Sequence, residues 1–143
     1  MRILPRHGHI EILKMTKTKQ IFELTAPYNN PYQGKYHRAL FVCSAGLLRS
    51  ATAATIGTQL GMNTRSCGSS PYALIPISAN LIAWADTIYF VNQDNYDQVM
   101  LDFYGQVGSL MQLEVKSVIW DIEDDYEYMH PQLVAKIHRE LKA

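Results

Sequence analysis

The segment FVCSAGLLRS, residues 41–50, brings three chemically capable side chains into one short stretch: Cys43, Arg49 and Ser50. An apolar run ends on the cysteine, and the residues between it and the arginine are small or aliphatic. Such a loop can turn its backbone N–H groups inward, and the dipole of a following helix adds positive potential, so the loop can cradle an anion. Gly46 can take the positive φ that a tight cradle requires.

Each of these side chains has a role in phosphoryl transfer. A thiol at the base of an anion cradle lies in positive potential, which favours the nucleophilic thiolate. Arg49 offers a planar fork for two phosphoryl oxygens, and Ser50 can donate a hydrogen bond to the sulfur. The segment therefore predicts transfer through a phosphocysteine at Cys43. The expected phosphate-binding residues are Ser44, Ala45, Gly46, Leu47, Leu48, Arg49 and Ser50.

The spacing alone does not establish this chemistry. An arginine six residues after a cysteine is common by chance, and a cysteine that ends a strand is most often a small buried hydrophobe. The surroundings favour the chemical interpretation, because an apolar strand precedes Cys43, a glycine lies inside the loop, and a helix of small residues follows.

The rest of the chain alternates strand-like apolar runs with helical segments. Strands are expected at 39–43, 63–68, 87–91 and 117–122, and helices at 50–60, 77–85, 94–104 and 130–141. Strands separated by helices imply crossover connections and an open parallel sheet. Ligands of such sheets bind beyond the C-terminal ends of the strands, and Cys43 is expected at one of these ends.

The first part of the chain differs in composition. The stretch LTAPYNNPYQGKYH, which ends at His37, carries prolines, a double asparagine and a glycine, which is turn and loop chemistry. The residues before it fit either a strand or a helix. We therefore expect an N-terminal extension over residues 1–37 and a single catalytic domain over residues 38–143.

The composition argues against several classes of function. The 143 residues are 48% hydrophobic, and thirteen basic residues balance thirteen acidic ones, so no net field attracts nucleic acid or an anionic membrane. No apolar run approaches the ~20 residues of a membrane span or forms a secretion signal. Two cysteines, Cys43 and Cys67, argue against a disulfide scaffold and fit the reducing cytoplasm. No metal or other cofactor is expected, since the pair His7 and His9 has no third ligand nearby.

Several motifs, in order, resemble the low-molecular-weight protein tyrosine phosphatases, particularly the short versions predicted in bacteria and their phages. Cys-x5-Arg-Ser follows the first strand, and RSCGSS stands where the family has a Ser-Ala-Gly strand end. WADTIYFVNQDNYDQV resembles its Trp-Ala-Asp strand and Asn-bearing helix start, and DIEDDYEYMHPQLV its acid loop and closing helix. The similarity runs from about Arg38 to the C-terminus.

The resemblance implies a fold and an activity. The expected fold is an α/β three-layer sandwich, with an open four-stranded parallel sheet of order 2-1-3-4, helices on both faces, and the N-terminal extension in addition. The expected activity is metal-independent hydrolysis of phosphotyrosine in protein substrates.

The chemistry also needs an acid for the departing oxygen. Carboxylates crowd the stretch after the fourth strand: Asp121, Glu123, Asp124 and Asp125. The family has Asp-Pro-Tyr here, which implies Asp124 as the acid, with Asp125 in the proline position and in reserve. Tyr126 then corresponds to an aromatic wall of the substrate cleft, with Tyr128 a weaker candidate; either tyrosine equally fits ordinary packing.

Departures from the family pattern keep other functions open. Ala45-Gly46 stands where the family usually has Gly-Asn, and the proline after the acid is absent. A phosphate- or phosphoprotein-binding module without catalysis is therefore an alternative. Arsenate reduction is a weaker one, because it requires relay cysteines. Cys67 is the remaining thiol, expected as a buried strand-end residue, although reversible oxidation with Cys43 is conceivable.

Overall fold

The structure, a computed structural model, describes Gly34 and residues 36–142. The predictions for the N-terminal extension, including the pair His7 and His9, therefore lie outside the described residues except at the end of that segment.

Four parallel strands form one sheet in this part of the chain: β1 (Arg38–Cys43), β2 (Asn63–Gly68), β3 (Thr87–Phe90) and β4 (Ser117–Ile119). Their order is β2-β1-β3-β4, so the predicted sheet and its order are confirmed. Strand β1 is central, and its apolar residues are almost fully buried because helices cover both faces of the sheet.

Five helices are present in the described residues: α1 (Arg49–Gln59), α2 (Ala79–Trp84), α3 (Gln93–Asp102), α4 (Val107–Lys116) and α5 (Pro131–Lys142). Side-chain caps explain where two of them begin. Ser78 Oγ accepts from Leu81 N at the start of α2, and Asn92 Oδ1 accepts from Asn95 N at the start of α3. The sequence predicted four of these helices and missed α4.

The core lies on both faces of the sheet. On one face, α1 and α5 bury Ile56, Leu133 and Ile137 against the Phe41 side of β1. On the other, α2, α3 and α4 pack against Leu40 and Val42. Because successive side chains of a strand point to opposite faces, β1 supplies both halves of the core. The domain is thus the predicted three-layer sandwich.

Several predicted elements differ in length from those in the structure, most clearly β4 and α2. Strand β4 ends at Ile119 rather than at residue 122, although Trp120 N still donates to Phe90 O and the chain continues beside β3. Helix α2 begins at Ala79 rather than at residue 77, because Ile77 N donates to Gly68 O, which holds Ile77 against the end of β2.

The close packing of α1 on the sheet depends on Gly57. A Cβ there would lie 2.9 Å from Thr64 Cγ2 and 3.3 Å from the ring of Phe41. We expect Gly57→Ala to destabilise the fold, since overpacking costs about 1–3 kcal/mol while the helix propensity of alanine returns about 1 kcal/mol. Urea unfolding followed by circular dichroism measures this change.

Gly108→Ala is the matched control, because a Cβ at that glycine of α4 meets no atom within 4 Å. It should leave the free energy of unfolding unchanged or raise it by up to about 1 kcal/mol. Equal effects of the two substitutions would contradict the packing argument.

Candidate active site

The loop of residues 44–48 joins the end of β1 to the start of α1. Gly46 has a φ of 78°, in the left-handed region that favours glycine. A Cβ on Gly46 would lie 2.9 Å from the backbone carbon of Cys67 and 3.0 Å from Gly68 N. The loop therefore packs directly on the end of β2, and both its backbone angle and its surroundings require a glycine.

Backbone hydrogen bonds from the chain beyond β2 brace this loop. Ser69 N donates to Cys43 O at 2.7 Å, and Ser70 N donates to Ser44 O at 3.0 Å. Gly68 leaves the space that this contact needs, since a Cβ there would lie 2.6 Å from Ser44 O. These two bonds continue the β1–β2 pairing beyond its last regular pair, Cys43 and Gly68, and they hold the first residues of the loop.

Asn95 is a site residue that the sequence analysis did not identify. Its side chain is buried, and Nδ2 donates to Ser44 Oγ at 3.1 Å and to Ser69 Oγ at 3.0 Å. Asn95 lies in the first turn of α3, where its backbone N–H donates to the capping oxygen Asn92 Oδ1. The resemblance to an Asn-bearing helix start was the available signal, and it did not tell which asparagine faces the loop.

Cys43 lies at the base of the loop with its sulfur among hydrogen-bonding groups. Gly46 N donates to Cys43 Sγ at 3.2 Å, and Ser50 Oγ lies 3.1 Å from the same sulfur. Cys43 is 3% exposed and Ser50 is fully buried. A backbone amide and a hydroxyl that both reach the sulfur are suited to stabilise a thiolate.

Arg49 is the first residue of α1 and is 2% exposed. Its Nη1 donates to Ile122 O at 2.9 Å, and its Nε lies 3.5 Å from Asp124 Oδ1. The guanidinium therefore joins the end of the 44–48 loop to the segment after β4. A guanidinium has five N–H groups, so it can hold Ile122 O and still present donors to an anion.

Residues 121–130, called the acid loop here, carry the four candidate carboxylates. Asp124 faces Arg49, and its side chain is 69% exposed. Glu123 is engaged elsewhere, because Lys136 Nζ and Tyr126 OH both donate to it and together lower its pKa, Lys136 most strongly. Asp121 and Asp125 are exposed. Of the four, Asp124 has a charge-paired contact with the arginine.

Tyr126, the candidate wall residue, is held on several sides. Its OH donates to Glu123 Oε1 at 2.9 Å, and its ring lies 5.4 Å from Lys136 Nζ and 5.4 Å from the ring centroid of His130. The ring also packs against the core on the α1 and α5 side of the sheet. These contacts fix its position on the acid loop.

A cleft of about 330 Å³ opens beside Ser44, the residue after the cysteine. Its walls come from the β2–α2 loop and from the first turns of α3, and they include Ser70, Pro71, Tyr72, Asp94 and Gln98. Tyr72 is almost fully exposed, at 94%. A tyrosine in this position offers an aromatic face to whatever enters the cleft.

Cys67 and Cys43 lie on opposite faces of the sheet. Cys67 pairs in register with Val42 and belongs to the core on the α2, α3 and α4 side, whereas Cys43 belongs to the other core. Burial, and secondarily the charge of Cys43, raise the pKa of Cys67 well above its usual value. Cys67 is thus the buried residue that the sequence predicted, and pairing it with Cys43 would require the backbone to move.

Within Gly34 and residues 36–142, no three His, Cys, Asp or Glu side chains are grouped so that they could hold a metal ion. In the same part of the chain, no helix is long and apolar enough to cross a membrane.

The two thiols should differ in reactivity. We expect iodoacetamide at neutral pH to alkylate Cys43 in the folded protein and to leave Cys67 unmodified, because Cys67 is fully buried with a raised pKa. Peptide mass spectrometry measures the two sites separately. Unfolding in guanidinium should expose both thiols, and labelling of Cys67 before Cys43 in the native protein would contradict the assignment.

No protein-family model and no curated protein matches the sequence, but solved structures match the fold. The arginine phosphatase YwlE from Geobacillus stearothermophilus superposes with a TM-score of 0.55 at 18% identity, covering 74% of this chain and 91% of that one. The tyrosine phosphatase Wzb from Escherichia coli K30, solved in complex with phosphate, gives a TM-score of 0.55 at 13% identity, covering 75% and 97%.

The low-molecular-weight protein tyrosine phosphatase from Campylobacter jejuni gives a TM-score of 0.51 at 13% identity and covers 73% of this chain and 92% of its own. At these identities the likeness concerns the fold. The chain therefore has the fold of the low-molecular-weight protein tyrosine phosphatases, as its sequence resemblance predicted.

Proposed function

We propose that the chain is a cysteine-dependent phosphatase that hydrolyses phosphotyrosine in proteins through a phosphocysteine. The observation that carries this proposal is the set of contacts at Cys43. Its sulfur receives a hydrogen bond from Gly46 N and lies 3.1 Å from Ser50 Oγ, at the base of a loop that ends on the buried Arg49. Nucleophile, loop amides and guanidinium together form a site for a tetrahedral oxyanion.

In the first step, Cys43 Sγ attacks phosphorus, and the bond from phosphorus to the aryl oxygen breaks. Arg49 and the N–H groups of residues 44–50 hold the three equatorial oxygens while charge spreads over them. Asp124, which faces Arg49 at 3.5 Å, donates its proton to the departing oxygen. The products are a tyrosine hydroxyl and a phosphocysteine.

In the second step, Asp124 acts as a base and removes a proton from water as the water oxygen attacks phosphorus. The bond from sulfur to phosphorus breaks, and the Ser50 hydroxyl donates to the departing thiolate. Inorganic phosphate then leaves the loop, and no metal or other cofactor takes part.

Aromatic side chains near the loop support the proposed substrate class. Tyr126 on the acid loop is our proposed wall for a phosphotyrosine ring, and Tyr72 stands at the cleft beside Ser44. Solved relatives of this fold include both a tyrosine and an arginine phosphatase, so phosphotyrosine and phosphoarginine peptides are the pair of substrates to compare. The free thiol nucleophile fits the cytoplasm.

The nucleophile is tested by Cys43→Ser. We expect loss of turnover of 4-nitrophenyl phosphate by about 10⁴-fold or more, because a serine hydroxyl lacks the thiolate. The oxyanion site should survive, since the loop amides and Arg49 remain. Steady-state kinetics and calorimetric titration with phosphate measure the two properties.

Cys67→Ser is the matched control, and it should keep turnover because that thiol lies on the other face of the sheet. Normal hydrolysis by Cys43→Ser would refute the mechanism. A wild-type protein that binds phosphate but releases no phenol on rapid mixing with an aryl phosphate would instead be the non-catalytic binding module.

The acid is tested by Asp124→Asn and Asp125→Asn. We expect the first to lower kcat for phenyl phosphate by about 10²–10⁴-fold, because a poor leaving group needs a proton. The second should change kcat by less than about threefold. The reverse order would assign the acid to Asp125.

A further inference from the structure

Three threonines of α1 repeat one hydrogen-bonding pattern. Thr52, Thr55 and Thr58 each donate through Oγ1 to the carbonyl oxygen four residues earlier, at distances of 2.7, 3.0 and 2.9 Å. A hydroxyl has one proton to donate, so each of these oxygens is then left as an acceptor. The second hydrogen-bond partner of each hydroxyl oxygen differs along the helix.

Two of the three hydroxyls meet the acid loop. Thr52 Oγ1 accepts from Met129 N at 2.9 Å. Thr55 Oγ1 lies 3.0 Å from Tyr128 OH, and because the Thr55 proton goes to Ala51 O, the tyrosine is the donor. Thr58 instead meets Thr64 of β2 at 2.7 Å. The first two threonines therefore connect α1 to adjacent residues of one loop.

The Thr52 hydroxyl touches both loops of the site. It donates to Leu48 O, the last residue of the 44–48 loop, and it accepts from Met129 N near the end of the acid loop. Thr52 is fully buried, so water does not replace either bond. One hydroxyl thus fixes the distance between the phosphate-binding loop and the loop that carries Asp124.

Met129, whose amide bonds to Thr52, has an unusual backbone conformation. Its φ is 60°, a left-handed conformation that a non-glycine residue adopts only when its surroundings hold it there. Residues 124–130 contain no proline to stiffen them. At the other end of the loop, Arg49 holds Ile122 O at 2.9 Å. Asp124 lies between these two anchors.

We propose that Thr52 is a positioning residue for general acid catalysis, assisted by Thr55, and that its hydroxyl keeps Asp124 at the leaving-group oxygen. The inference rests on the proposed phosphatase function. Thr52 does not touch the substrate in this proposal. It acts through its bond to Met129 and so through the acid loop. Its effect should therefore appear where the reaction depends on the acid.

Leaving-group dependence separates this role from a general structural one. Release of 4-nitrophenolate needs little protonation, whereas release of phenolate needs the acid. For Thr52→Val we expect kcat/KM for phenyl phosphate to fall by about 10- to 100-fold and kcat/KM for 4-nitrophenyl phosphate to change by less than about threefold. The parameter kcat/KM is the one to compare, because it reports phosphoryl transfer to Cys43 and not the later hydrolysis, in which Asp124 serves both substrates alike. Thr52→Ser, which keeps the hydroxyl, should restore most of the lost rate.

Thr58→Val is the matched control, because it makes the same change on the same helix at a hydroxyl that meets β2. Thr58→Val should leave the ratio of kcat/KM for phenyl phosphate to kcat/KM for 4-nitrophenyl phosphate unaltered. In an Asp124→Asn background, Thr52→Val should cost little more, since residues that act through one another are not additive. Hydrogen exchange at the Met129 amide should be slow in the wild type and in Thr52→Ser, and fast in Thr52→Val.

Several outcomes overturn the inference. Equal losses of kcat/KM on both substrates, an equal effect of Thr58→Val, or a Met129 amide still protected in Thr52→Val would each show that Thr52 does not position the acid. If Thr52→Val does not fold, Thr52→Ala replaces it. The same pair of substrates and the same exchange measurement then test the positioning role. Wild-type protein without turnover of either substrate refutes the phosphatase function itself, and turnover without a leaving-group effect refutes the positioning role alone.

Discussion

The site depends on the close approach between the loop after β1 and the end of β2. Gly46 and Gly68 leave no room for a Cβ at this contact, and backbone amides of Ser69 and Ser70 bond to the carbonyl groups of Cys43 and Ser44. Held in this way, the loop places Gly46 N 3.2 Å from Cys43 Sγ, to which it donates a hydrogen bond. The geometry at Cys43 is therefore a result of how two neighbouring strands end.

The buried Arg49 connects the loop after β1 to the acid loop. A guanidinium that is 2% exposed must find partners for its donors, and Arg49 finds them in Ile122 O and near Asp124. The segment after β4 is consequently fixed to the start of α1 from one side and to the threonines of α1 from the other. Helix α1, which follows Cys43, thus holds both the 44–48 loop and the acid loop.

The sequence predicted the sheet better than it predicted the contacts around the loop after β1. Continuous apolar runs identify β1 and β3, because both are covered on two faces. Helix α4 was missed because Val107, Met111 and Val115 are exposed while Leu113 is buried, so its apolar residues follow no single face. The role of Asn95 depends on the distance between α3 and the loop, which sequence spacing does not give.

The separation of Cys43 and Cys67 by the sheet has a consequence for oxidative damage. An oxidant that converts Cys43 to a sulfenic acid leaves it without a resolving thiol on its own face, since Cys67 is in the opposite core. Reduction of the sulfenic acid then depends on small thiols from the surroundings that can reach the 44–48 loop. When these are scarce, oxidation continues to the sulfinic acid, which thiols do not reduce.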